Sequence, residues 1–172
     1  MKRKNHNIVL IGMMGCGKTT VALMLGEALQ RPIVDIDEYL VEKYKMTIPE
    51  MFEISEDYFR QREQACCQTI GEWENFIVST GGGVIKNPQN IEALKKNGIV
   101  IYLDRPIENI VQDIDTHARP LLQAGVHQLY QLYEQRHDQY LCACDYRVEN
   151  KTTLHDVVEK IIQIINEHEK SY

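Results

Sequence analysis

Ile8-Val9-Leu10-Ile11-Gly12-Met13-Met14-Gly15-Cys16-Gly17-Lys18-Thr19-Thr20 is the stretch that decides how this chain folds. Four apolar residues stop at a glycine, a turn of the form G-x-x-x-x-G-K-T follows, and a helical pattern starts at Lys18. A strand, a glycine-rich turn and a helix N-terminus together build an anion cradle: loop N–H groups converge, and the first helical turn adds partial positive charge. Gly12, Met13, Met14, Gly15, Cys16 and Gly17 would form the cradle. Lys18 is placed to reach the β- and γ-phosphates, and Thr19, followed by Thr20, to offer a hydroxyl to Mg²⁺. A plain strand-to-helix turn needs no such combination. The chain is therefore expected to bind a nucleoside triphosphate.

Outward from this motif, the composition sets bounds. At 172 residues the chain is expected to form one domain over residues 1–172, with 44% hydrophobic and 26% charged residues in the ordinary range for a globular protein. A net charge of −6 argues against a broad nucleic-acid-binding surface, though not against a small basic pocket. Five cysteines (Cys16, Cys66, Cys67, Cys142 and Cys144) are odd in number and lack C-x-x-C spacing. They read as reduced thiols of a cytoplasmic protein. Met1-Lys2-Arg3-Lys4 and Gly15-Cys16 superficially suggest a lipoprotein signal, but Gly12 breaks the apolar part and Lys18 follows at once. No stretch is long enough to cross a membrane, and nothing demands more than a monomer.

Strand-like apolar runs fall at residues 7–11, 32–36, 76–79, 98–103 and 146–149. Helical patterns fall near 18–29, 38–44, 48–53, 56–73, 88–96, 106–114, 126–141 and 154–168. The last carries one apolar stripe through Val157, Val158, Ile161, Ile162, Ile164 and Ile165, the mark of a helix packed on a sheet. Short, nearly all-apolar strands alternating with helices predict an α/β protein with a parallel sheet covered on both faces. Ligands of such sheets bind at the carboxyl ends of the strands.

Polar residues cluster at those ends. Asp35-Ile36-Asp37 closes the second run, and strand alternation predicts both carboxylates on one side, one to hold Mg²⁺ and one to accept a hydroxyl proton. The plainer reading of Asp37 is a cap on the next helix. Ser79-Thr80-Gly81-Gly82-Gly83 closes the third run. Three glycines in a row permit close backbone approach to a ligand, or else satisfy a loop with positive φ. Arg60 and Glu63 are three apart on a helix, so the acid can orient the guanidinium for a grip on a carboxylate or phosphate. Arg119-Pro120-Leu121-Leu122 sits in a segment, 113–125, that reads as an irregular lid carrying a charge-neutralising arginine. Arg136 lies on the helix beyond.

Taken together these residues resemble the shikimate kinase family. The likeness spans most of the chain: the phosphate loop, D-x-D at 35–37, F-R-x-x-E at 59–63, T-G-G-G at 80–83, R-P-L-L at 119–122 and R-x-x-x-Y at 136–140. It implies ATP-dependent, Mg²⁺-assisted phosphorylation of the 3-hydroxyl of shikimate, on the route to chorismate. It also implies a three-layer α/β/α fold of the nucleoside monophosphate kinase type, with strand order 2-3-1-4-5 and a substrate-binding segment at about 37–63. Asp37 would then bind the shikimate hydroxyls and assist deprotonation. Arg60 and Arg136, with Gly81, Gly82 and Gly83, would clamp the carboxylate. Lys18 and Arg119 would stabilise the phosphoryl group, Thr19 would ligate Mg²⁺, and Asp35 would contact it through water. The chain departs from the family in the segment before Phe59. It also has Gln112 where some members carry an arginine beside adenine, leaving that contact to Arg147 or to no charged group.

Two other readings compete. A gluconate or nucleoside monophosphate kinase would share the fold, but T-G-G-G combined with F-R-x-x-E argues for the first reading. A nucleotide-dependent switch would usually carry N-K-x-D, whereas Asn150-Lys151-Thr152-Thr153 lacks the acid.

Overall fold

The computed structural model describes residues 5–116 and 123–171, with side chains described except at 114–116 and 123–124. Five strands, β1 (Asn7–Ile11), β2 (Ile33–Asp35), β3 (Ile77–Ser79), β4 (Gly98–Asp104) and β5 (Tyr146–Glu149), form one parallel sheet in the order β2-β3-β1-β4-β5. This is the order the family resemblance implies. Every residue of β1, β3 and β4 is buried, which explains their unbroken apolar character.

The helices are α1 (Lys18–Leu29), α2 (Ile36–Tyr44), α3 (Ile48–Ile54), α4 (Glu56–Gly71), α5 (Pro88–Lys95), α6 (Ile107–Thr116), α7 (Gln123–Ala143) and α8 (Leu154–Lys170). Val157, Val158, Ile161 and Ile165 of α8 are buried, as the stripe predicts. The chain leaves β1 toward the β2 side of the sheet and leaves β3 toward the β4 side. The crevice at the carboxyl edge therefore opens between β1 and β3, at the switch point of the topology. The phosphate loop and the three glycines flank it.

Two boundaries differ from expectation in ways that matter. β2 ends at Asp35, whose carboxylate accepts a hydrogen bond from the Glu38 N–H at 3.1 Å and so starts α2 two residues early. Asp35, not Asp37, is thus the cap, and Asp37 lies in the first helical turn. Strand alternation does not place the two acids together; a strand-to-helix corner does. The stretch read as irregular from Asp113 is helical to Thr116. The rest of the expected lid core, with Arg119, lies outside the described residues.

Candidate active site

The cradle is built by conformations that glycine allows. Gly12 has φ +150°, and a Cβ there would lie 2.6 Å from the Leu103 carbonyl oxygen of β4. Gly17 has φ +100° and leads into α1 with no side-chain cap. By contrast α2, α3, α4, α5 and α8 are each capped by a side-chain oxygen, from Asp35, Thr47, Ser55, Asn87 and Thr153. Helix α1 has no acidic residue in its first turn. Its N-terminus therefore keeps its positive end for a ligand.

Lys18 is buried, and its ammonium donates to the carbonyls of Gly12 at 2.5 Å and Met13 at 2.9 Å, with Cys16 Sγ at 3.6 Å. Asn150, after β5, donates to the Cys16 carbonyl at 2.9 Å and ties the loop to the far side of the cleft. Asn150 thus braces the loop, a use the failed N-K-x-D comparison does not suggest.

The cleft holds about 660 Å³. It is lined by Met14, Gly15, Gly17, Lys18, Thr19 and Thr20 of the phosphate loop and α1, by Asp35 and Asp37, by Thr80, Gly81 and Gly82, by Arg105, Asn109 and Asp113, and by Asn150, Lys151, Thr152 and Leu154. Asp37 Oδ1 is buried and has no hydrogen-bond donor among the described residues. Burial, then repulsion from Asp35, raises the Asp37 pKa above the ordinary 3.8, and Lys18 and Arg60 pull it back.

The three glycines explain themselves side chain by side chain. None has positive φ, so the loop does not use them for strained turns. A Cβ on Gly81 would sit 3.2 Å from Asp37 Oδ1, on Gly82 3.4 Å from an Arg136 Nη1, and on Gly83 2.5 Å from an Arg60 Nη2. The bare backbone lets a carboxylate and two guanidinium groups approach one short segment. Arg60 and Arg136 do not line the cleft itself; each lies against its glycine.

Arg60 is fixed from three sides. It donates to the Gly83 carbonyl at 3.2 Å, to Glu63 at 2.9 Å and to Glu56 at 3.3 Å, and Glu56 in turn accepts from Lys86 at 2.8 Å. The predicted pairing with Glu63 holds, and Glu63 is fully buried behind the guanidinium. Burial raises the Glu63 pKa, opposed chiefly by the Arg60 hydrogen bond. Tyr140 donates to the Gly82 carbonyl at 2.6 Å. Burial pushes its pKa up to about 12 against the pull of Arg136, so the phenol remains a donor at neutral pH.

Arg147, one option for the adenine contact, is engaged elsewhere. It donates to Asp104 at 2.5 and 2.8 Å and pairs with Glu149 at 3.1 Å. Arg105 is the cation the sequence reading missed. It follows the last residue of β4 directly, so a search of every strand end would have found it.

Gly83→Ala tests the glycine argument. The clash falls on the guanidinium that Glu63, Glu56 and the Gly83 carbonyl hold, so Arg60 should be pushed off these partners while the fold holds. The expected result is a severalfold rise in the KM for the proposed acidic substrate with a lowered Tm; an unchanged KM removes the argument.

A sequence model of shikimate kinase matches residues 14–166. The chain belongs to the shikimate kinase family. The shikimate kinase of Clostridium botulinum (strain Alaska E43 / Type E3) is 45% identical over 160 residues, 93% of this chain and 97% of that one. The shikimate kinase of Acinetobacter baumannii, solved in complex with shikimate, superposes with a TM-score of 0.86 at 36% identity, covering 96% of both chains. The crystal structure of the Aquifex aeolicus shikimate kinase gives 0.81 at 32% identity, over 94% of this chain and 97% of that one. A gluconokinase from Sinorhizobium meliloti 1021 gives a TM-score of 0.64 at 14% identity, which is a likeness of fold alone. The rival with carboxylate-bearing gluconate as substrate thus shares the fold but not the shikimate kinase sequence.

Proposed function

We infer that this shikimate kinase family member transfers the γ-phosphoryl group of ATP to the 3-hydroxyl of shikimate through the residues assembled around Gly81–Gly83. The observation that carries this reading is the convergence of Asp37, Arg136 and Arg60 on three successive glycines beside the phosphate loop. A small acid with vicinal hydroxyls needs a cationic fork and a nearby carboxylate, and this segment offers both.

In the step, the 3-hydroxyl oxygen bonds to the γ-phosphorus and the bond to the β–γ bridging oxygen breaks. The hydroxyl proton passes to Asp37, and ADP leaves. Asp37 Oδ1, buried and without a donor, is suited to accept the hydroxyl. Arg60 and Arg136 hold the carboxylate and so the ring, while Gly12–Thr20 hold the triphosphate. Lys18 neutralises charge that grows on the phosphoryl oxygens, with Arg119 proposed for the same work.

The donor set fits Mg²⁺. Thr19 and Asp35 offer oxygens in the same cleft, and no group of three or more His, Cys, Asp or Glu among the described residues forms a cage of its own. A cation shared with phosphate oxygens and water suits such a site, and when bound it supplies charge neutralisation. No described helix is long and apolar enough to cross a membrane. We read the chain as a cytoplasmic monomer, in keeping with its five free thiols.

An ADP-release assay with shikimate, gluconate and nucleoside monophosphates tests the assignment. Release should depend on shikimate; faster release with another acceptor overturns it. Arg60→Ala should raise the shikimate KM. Arg60 is one-fifth exposed and Arg136 remains, so the low end of the usual cost applies: about 2 kcal/mol, or roughly 30-fold, with kcat little changed. An unchanged KM removes Arg60 from the clamp.

A further inference from the structure

Helix α7 is long for what it buries. Of its described side chains only Leu129 and Tyr140 are buried, whereas the shorter α8 buries four. Apolar burial alone therefore holds this 21-residue helix weakly in rotation and height. Directed polar contacts do the rest. Tyr133, Arg136, His137 and Tyr140 follow the spacing i, i+3, i+4, i+7 and share one face. Tyr133 donates to Asp104 Oδ1 at 3.0 Å, His137 Nδ1 lies 2.9 Å from the Tyr102 hydroxyl, and Tyr140 donates to the Gly82 carbonyl at 2.6 Å. Arg136 is bracketed by these contacts, and its Nη1 lies 3.4 Å from where a Cβ on Gly82 would sit.

The anchor on β4 is buried: Tyr102 is 1% exposed and Asp104 4%. Asp104 Oδ2 accepts twice from Arg147, and Oδ1 accepts from Tyr133 and, at 3.2 Å, from Tyr102. A carboxylate only accepts, so the Tyr102 hydrogen goes to Asp104 and His137 Nδ1 donates to the Tyr102 oxygen. Burial, then the Asp104 charge, raises the pKa of both phenols, that of Tyr133 to about 12, so both stay protonated at neutral pH. The Tyr102 ring also stacks on Tyr140, with centroids 5.0 Å apart. The next residue, Arg105, donates instead to the Gly15 carbonyl at 2.9 Å, so the end of β4 serves the phosphate loop through one side chain and α7 through the other. Tyr102, Tyr133 and His137 do not line the cleft. Apolar side chains could fill their space without burying a charge. What the polar set adds is direction, because hydrogen bonds fix angle as well as distance.

We propose that the Tyr102 hydroxyl, held by Asp104 and bonded to His137, is a positioning group that seats α7 on the sheet and so aims Arg136 at the substrate carboxylate. It acts through Arg136 and touches no substrate. The proposal rests on the carboxylate clamp read above.

Steady-state kinetics of Tyr102→Phe test it, since this change removes one oxygen and keeps the ring on Tyr140. The shikimate KM should rise about fivefold, with kcat and the ATP KM within about twofold. Added to Arg136→Ala, the same change should raise the shikimate KM no further, because the side chain it aims is gone. His137→Phe should repeat the effect of Tyr102→Phe, and His137→Asn, whose amide N–H can stand where Nδ1 stood, should restore the KM to within about twofold. The half-buried His137 pair carries the test if Tyr102→Phe does not fold. An unchanged shikimate KM in both phenylalanine variants overturns the proposal. So does a full fivefold rise on top of Arg136→Ala, or an equal rise in the ATP KM, since either would mean a general loosening of the fold. Arg136→Ala alone separates the two readings. An unchanged shikimate KM there sinks the clamp and the proposal with it, whereas a raised one beside unaltered phenylalanine variants sinks only the positioning.

Discussion

Lys18→Ala should lower kcat by roughly 10³-fold or more while the shikimate KM stays within about threefold. The ammonium belongs to a residue that lines the cleft and is seated on the Gly12 and Met13 carbonyls. Phosphoryl transfer asks the protein chiefly for positioning and for charge neutralisation, and a lysine at this point supplies both to oxygens whose charge is redistributed in the transition state. The shikimate contacts proposed above lie on α2, α4, α7 and the glycine segment, so ground-state binding of the acid should hardly change. The fold should also survive. Alanine favours the first turn of α1. Steady-state kinetics with a thermal melt decide the matter. A kcat within about 10-fold of the unmodified chain would remove Lys18 from the chemistry.

What the sequence makes legible follows from what is local. The phosphate loop is one contiguous segment, and its glycines, lysine and threonine act where they stand. The strands of the core are equally plain, because burial on both faces leaves unbroken runs such as Gly98–Asp104. Arg60 and Glu63 are legible because helical spacing fixes their contact. The harder parts depend on tertiary approach. Nothing local says that Gly81, Gly82 and Gly83 would each face a different charged side chain, drawn from α2, α7 and α4. Asp35 and Asp37 both line the cleft, but not by strand alternation, since the strand ends at Asp35, which caps α2 through Glu38. Arg105 and Asn150 belong to corners after β4 and β5, and their work is seen once the sheet order brings both beside the phosphate loop.

Asp37→Asn should lower kcat by about 10²- to 10⁴-fold, because the amide cannot take the hydroxyl proton. It should also stabilise the free protein at neutral pH. Burial and Asp35 raise the Asp37 pKa, so the native state holds this proton more tightly than the unfolded chain does. The linked stability is complete below the ordinary value near 3.8 and is lost as pH rises through the raised one. At pH 7 the ionised carboxylate is thus a burden on the fold, with Oδ1 buried and undonated. Lys18 and Arg60 offset part of it, so the net cost is set at the low end for an unsatisfied group, about 1 kcal/mol. For a chain of this length that corresponds to a Tm gain of roughly 2–4 °C in the asparagine variant. The gain should shrink as pH falls toward the ordinary carboxylate range, where both variants are neutral at position 37. Loss of the Asp37 charge also relieves the buried Glu63, whose pKa Asp37 helps to raise, and so adds to the gain. In the unmodified enzyme the same raised pKa should move the acidic limb of kcat/KM above the ordinary carboxylate value. The three readings share one cause, a carboxylate kept ionised in a site that disfavours its charge so that it can accept a proton. A variant with near-normal kcat would contradict the base assignment, and a lower Tm at pH 7 would contradict the linkage even if activity were lost.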